Sequence, residues 1–217
     1  MSAADIAAAA TSTTTGLLRP GLLEDVVLLV AGNSASFPGD SLGAAVTESC
    51  KALGATVECC QTEVVEESAL DDLVTAIVSR PRAIDMLVVD GASLFATGDG
   101  DGDADADGHL ALRACLDATW NVTRAVINHA FLPAEQGGRI VYLAPAPGAG
   151  EFAETARAGL ENLSRTLSTE WARHDVKVVA VAPGEDTPAS EVAALCAYLA
   201  SPAGAYFSGC MLDLRGV

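Results

Sequence analysis

Residues 157–184 read RAGLENLSRTLSTEWARHDVKVVAVAPG. In the first half Leu160, Leu163 and Leu167 recur at spacings of three and four, the period of a helix with one apolar face. The second half, Lys177 to Ala182, is a short run rich in β-branched residues that stops at Pro183 and Gly184, which reads as a buried strand ending in a turn. A helix that feeds straight into a buried strand is part of a crossover unit, and crossover units build parallel sheets.

The same alternation runs outward in both directions. Strands are predicted over Val26 to Ala31, Thr56 to Gln61, Asp85 to Val89, Arg139 to Leu143, Lys177 to Ala182 and Cys210 to Leu214. Helices are predicted over Leu42 to Leu53, Glu66 to Val78, Leu110 to Ala130, Phe152 to Arg173 and Ser190 to Leu199. Alternating short apolar runs and amphipathic stretches predict an α/β architecture in three α/β/α layers, with about six parallel strands in a single domain.

Composition narrows the function. The 217 residues carry 12 Lys and Arg against 29 Asp and Glu, a formal charge of −17, and half of them are hydrophobic. A chain so acidic repels a polyanion, so no nucleic-acid partner is expected. No apolar run approaches the ~18 residues needed to span a bilayer, so no membrane partner is expected either. Residues 1–22 lack a basic start and are read as a flexible leader ahead of a folded domain over 23–217. The six cysteines form no CxxC pair, which predicts neither zinc nor disulfides and fits a reduced, cytoplasmic protein. Asp99 to Gly108 is an acidic loop whose spacing fits calcium ligands at Asp103, Asp105 and Asp107. Ala114 stands where such a loop needs its bidentate Glu, so a solvated loop is the simpler reading. His109, His129 and His174 have no Cys or carboxylate at ligand spacing, and Glu154, Arg157, Glu161 and Arg165 read as a solvated helix face.

Six stretches, in order, resemble the short-chain dehydrogenase/reductase family, and among its members 3-oxoacyl-[acyl-carrier-protein] reductases. They are VVLLVAG (26–32), IDMLVVDGA (84–92), TRAVINHAFLP (123–133), GGRIVYLAP (137–145), the stretch quoted first, and EVAALCAYLASPAGAYFSGCMLDLRG (191–216). The resemblance implies a Rossmann-like, doubly wound parallel sheet and hydride transfer between NAD(P) and a carbonyl or alcohol.

It also implies where the chemistry belongs, and there this chain departs. The family's general-acid Tyr falls on Ala153, its Lys on Arg157, its Ser on Ala144 or Pro145, and its helix Asn on Cys115. A methyl group donates no proton, and a guanidinium does not replace a phenol. Tyr142 lies within a strand, and Phe152 has no titratable group. Cys115 is read as a packed small hydrophobe. The phosphate turn, AGNSASFPGDSLGAAV (31–46), keeps Gly32 and Gly43 but places Asp40 beside a phosphate. Gly32, Asn33, Ser41, Gly43 and Asp90 are the candidate cofactor-binding residues, with no cofactor expected and NAD(P) the group they would hold. Thr62 to Val65 leave no room for an adenine-side crossover, and Glu185 to Pro188 none for a substrate lid. No metal site is expected.

The long helices keep their apolar faces while the site decays. Leu116, Trp120, Leu160, Leu163 and Leu167 are therefore expected at an interface, in a dimer or tetramer with itself or with an intact homologous short-chain dehydrogenase subunit. The leading expectation is a catalytically inactive structural or regulatory subunit of a heteromeric NAD(P)-dependent oxidoreductase. An active reductase of 3-oxoacyl thioesters or secondary alcohols, and a non-catalytic nucleotide sensor, are the alternatives.

Overall fold

The first strand, β1 (Val27–Gly32), has the sequence VLLVAG and is buried along its whole length. A strand apolar at every position can sit only where both faces of a sheet are covered. In the computed structural model, which describes residues 18–33, 41–62, 67–79, 83–96 and 104–216, β1 is flanked by two parallel neighbours. The others are β2 (Thr56–Gln61), β3 (Met86–Asp90), β4 (Gly138–Leu143), β5 (Val176–Ala182) and β6 (Cys210–Asp213). They form one all-parallel sheet in the order β2-β1-β3-β4-β5-β6.

Helices cover both faces. On one side α1 (Leu42–Ala52) and the last helix, α6 (Ala189–Ala200), enclose a core built on Leu28, Val30, Met86, Val88, Val141 and Val179. On the other, α2 (Glu67–Val78), α4 (Ala104–Val126) and α5 (Ala153–Glu170) cover Leu29, Leu87, Ile140 and Val178. Alternate residues of each central strand thus point into opposite cores, as the pleat requires. The edge strands β2 and β6 are only half buried. A short helix, α3 (Gly91–Ala96), follows β3 directly.

Every predicted strand lies within about one residue of its place. Three expectations need correction. The segment read as an acidic loop is helical from Ala104, where α4 begins. Asp103 lies outside the described residues. Residues 18–22, read as part of the leader, belong to the folded unit, since Leu18 and Leu22 pack on the α1/α6 core beside the fully buried Leu23; residues 1–17 lie outside the described residues. Finally, α4 runs on into a π-helical turn, Ile127–Phe131, just before Pro133. The wider turn accommodates a residue with no N–H to donate. Gly137, at φ 74°, turns the chain into β4 where a Cβ would stand 2.6 Å from the Asp175 carbonyl oxygen.

Candidate functional site

The strand order reverses between β1 and β3, and sheets of this type bind ligands outside the carboxyl ends of the strands at that reversal. Asn33 follows β1 and Asp90 ends β3, so both stand at this point. Asp90 is fully buried. Its Oδ2 accepts the Gly43 amide at 2.8 Å, its Oδ1 accepts the Ser93 amide at 3.1 Å, and the Ser41 hydroxyl adds a further bond. Burial raises the carboxyl's pKa, while the amides pull it back in part. Ser93 Oγ donates to the Asp90 carbonyl at 2.8 Å, and Asn33 Nδ2 donates to the Ser93 carbonyl at 2.7 Å. The Gly32 carbonyl accepts the Thr62 amide at 2.9 Å.

Sequence reasoning therefore named residues that do assemble at one place, but Asn33, Ser41, Gly43 and Asp90 are bonded within one network. Its effect on α1 is specific. The amides of Gly43 and Ala44, which at a helix start would face a phosphate, already have acceptors in Asp90 and in Ser41 Oγ, the latter at 3.0 Å. Pro38, Gly39 and Asp40 lie outside the described residues.

The second corner lies at the carboxyl ends of β4, β5 and β6. Ala153 opens α5 and is buried, its methyl among apolar groups of the larger core. Arg157, one turn on, is only 1% exposed. This corrects the reading of residues 154–165 as a solvated face: Glu161 and Arg165 do pair at the surface at 2.6 Å, but Arg157 falls on the buried stripe with Ala153, Leu160 and Ser164. Its Nη1 donates to the carbonyls of Pro145 and Pro183, each at 2.7 Å, and so ties the end of β4 to the end of β5. Burial lowers its pKa, Glu154 and Asp213 oppose that shift, and Arg215 adds to it. The helical spacing of 153, 157, 160 and 164 carried this signal.

The remaining candidates are packed away. Cys115 is fully buried, and burial pushes its thiol up to about 12. A Cβ on Gly91 would stand 3.3 Å from Cys115 Sγ, 3.2 Å from Leu160 Cδ1 and 2.8 Å from the Leu143 carbonyl oxygen, so solid packing fills this spot. Tyr142 is buried against Thr123 at 3.1 Å, out of reach of any substrate. Pro145 is buried and offers only its carbonyl. His129 does meet a carboxylate, Asp71 at 3.4 Å, which sequence spacing could not reveal because α2 supplies it; Arg124 holds the same carboxylate at 3.1 Å. His109 stacks on Phe152. Among the described residues no cluster suits a metal ion, and no helix is long and apolar enough to cross a membrane.

The expected interface residues divide. Leu160 and Leu167 are buried in the chain's own core, because α5 turns that stripe toward the sheet, and they are not available to a partner. Leu116 and Leu163 are half buried against the same core, Leu116 lying over Gly159. Trp120, 41% exposed, and Leu110 stand outward.

A dinucleotide would need open donors at the α1 start and a cation free to reach a ribose at α5. In the described residues the first are taken by Asp90 and Ser41 and the second by two carbonyls, so these residues do not fit the group.

Known proteins agree with the architecture. The family model for short chain dehydrogenases matches residues 33–193. A citronellol catabolism dehydrogenase of Pseudomonas aeruginosa PAO1 is 27% identical, with a TM-score of 0.71 over 91% of this chain and 96% of that one. A short chain dehydrogenase from Mycobacterium smegmatis, 24% identical, superposes with a TM-score of 0.72 over 90% of this chain and 94% of its own. A hydroxysteroid dehydrogenase from Escherichia coli, 16% identical, gives 0.68 over 91% and 98%. With its six-stranded parallel sheet, its helices on both faces and a match over most of its length, the chain belongs to the short-chain dehydrogenase family.

Proposed function

We propose that this chain is a catalytically silent short-chain dehydrogenase that serves as a structural or regulatory subunit beside an intact, NAD(P)-dependent homologue. One observation carries the reading: where the family's motif puts its general acid, this chain has the buried methyl of Ala153, and the cation at Arg157 is spent on the Pro145 and Pro183 carbonyls. Loss of a general acid alone removes roughly 100- to 10,000-fold of rate. The phenol of Tyr142 is sealed in the core, and burial raises its pKa out of working range.

Trp120 and Leu110, with the exposed parts of Leu116 and Leu163, support a partner surface along α4 and α5. A second copy of the chain would fit there as well as a homologue does. The competing reading, an active reductase of 3-oxoacyl thioesters or secondary alcohols, draws on family membership and on the 27% identity to a citronellol catabolism dehydrogenase.

Purified protein, assayed with NADH and NADPH on 3-oxoacyl thioesters and secondary alcohols, should show no turnover. Co-expressed with an intact homologue, it should run in native mass measurement as a mixed oligomer. Turnover that survives purification and disappears on a single substitution in this chain would establish the reductase. A homo-oligomer indifferent to the homologue would remove the subunit role.

A further inference from the structure

Arg157 is buried, yet what covers it is exposed. Its Nε and Nη2 have no hydrogen-bond partner, and the carboxylates nearest to them, Glu154 Oε1 and Asp213 Oδ1, stand off at 3.6 Å each. Asp213 ends β6 and is itself gripped by Arg215, whose Nη2 and Nε lie 2.6 and 2.9 Å from Oδ2. Arg215 Nη1 reaches back to Glu154 Oε1 at 3.3 Å. The backbone between them crosses the turn after β5: the Leu214 amide donates to the Ala182 carbonyl at 2.9 Å, and a Cβ on Gly184 would touch Arg215 Cα at 3.4 Å. Leu214 and Arg215 therefore pack against the Pro183–Gly184 turn as a strap.

We infer that this strap, fastened by Arg215 to Asp213 and Glu154, is a releasable closure over the Arg157 corner. The two sides of the closure differ in strength. Inside, a guanidinium is bound to two buried carbonyls. Outside, the side chains of Glu154, Asp213 and Arg215 are 57%, 32% and 47% exposed. Exposed ion pairs are weak and screened by salt, so the strap is the part that opens first. Opening uncovers two donor nitrogens of the cation, Nε and Nη2, that have no hydrogen-bond partner, and any ligand entering this corner meets the strap first. The closure holds whether or not the chain has a catalytic function.

Phenylglyoxal labelling, mapped by peptide, reads the closure through Arg157 itself. In the intact protein at low salt Arg157 should label far more slowly than the exposed Arg113 and Arg165. Arg215→Gln should raise the Arg157 rate roughly two- to fivefold, the scale set by exposed ion pairs. The rate at Arg124, which is part-buried on α4 well away from the strap, should stay constant. In the unsubstituted chain, raising NaCl to about 0.5 M should act in the same direction. An Arg157 rate that ignores both Arg215→Gln and salt overturns the inference. So does a rise matched at Arg124, which would mean general loosening. The salt series decides the matter if the variant does not fold.

Discussion

Replacing Arg157 by Met tests whether this buried cation holds the fold together. Hydrogen bonds to a charged group contribute about 1.5–3 kcal/mol each, so losing the two 2.7 Å bonds to Pro145 and Pro183 costs roughly 3–6 kcal/mol gross. An opposing effect reduces this. Arg157 is buried with Nε and Nη2 unbonded, and its removal relieves the cost of keeping a charge out of water. Buried charges replaced by apolar side chains of similar volume are often neutral for that reason. Here the sign is decided by what is left behind, two buried carbonyls with no other donor in reach of Met. We expect a net loss of about 2–4 kcal/mol, a fall in Tm of roughly 5–15 °C for a domain of this size. Arg157→Lys keeps the charge but loses the planar fork, and should cost about half as much. Urea denaturation with unchanged m values is the assay. Arg157→Met within about 0.5 kcal/mol of the parent would refute the reasoning, as would a Lys variant no better than Met.

Asp90 should make stability depend on pH in the sense opposite to a salt-bridged carboxylate. Its pKa is raised in the fold from 3.8, so its favourable contribution is complete below the unfolded value and is lost as pH rises through the folded one. The stability of the parent relative to Asp90→Asn should therefore fall as pH rises from about 4, and parallel denaturation curves across pH would contradict this. Gly91→Ala places a methyl 2.8 Å from the Leu143 carbonyl oxygen and against Cys115 and Leu160; overpacking there should cost about 1–3 kcal/mol by thermal melting. Tyr142→Phe removes one buried bond to Thr123 and should cost about 1 kcal/mol, with no change in any turnover measured.

Strand placement was legible because a strand buried on both faces is nearly continuously apolar, and the runs Val27–Ala31, Met86–Val89 and Val178–Ala182 have that composition. The absence of a phenol or ammonium at positions 153 and 157 was equally legible, since chemistry depends on which functional group is present. What neighbours a side chain is another matter. Arg157 shares one helical spacing with Glu154, Glu161 and Arg165 and another with Ala153, Leu160 and Ser164, and only the packing of α5 on the sheet decides that the second stripe is the buried one, with Arg165 outside. Leu160 and Leu167 went to the core, and not to an interface, for the same reason.

Sequence alone determined the α/β order of elements, which follows from local periodicity, and the six stretches that resemble the family, which follow from residue identity in order. The tertiary structure alone decided that Asp90 takes the Gly43 amide, that Arg157 joins Pro145 to Pro183, and that Leu214 and Arg215 pack against the turn after β5. Each of those contacts joins residues brought together by the parallel crossovers, whose geometry sets distances that no spacing along the chain encodes.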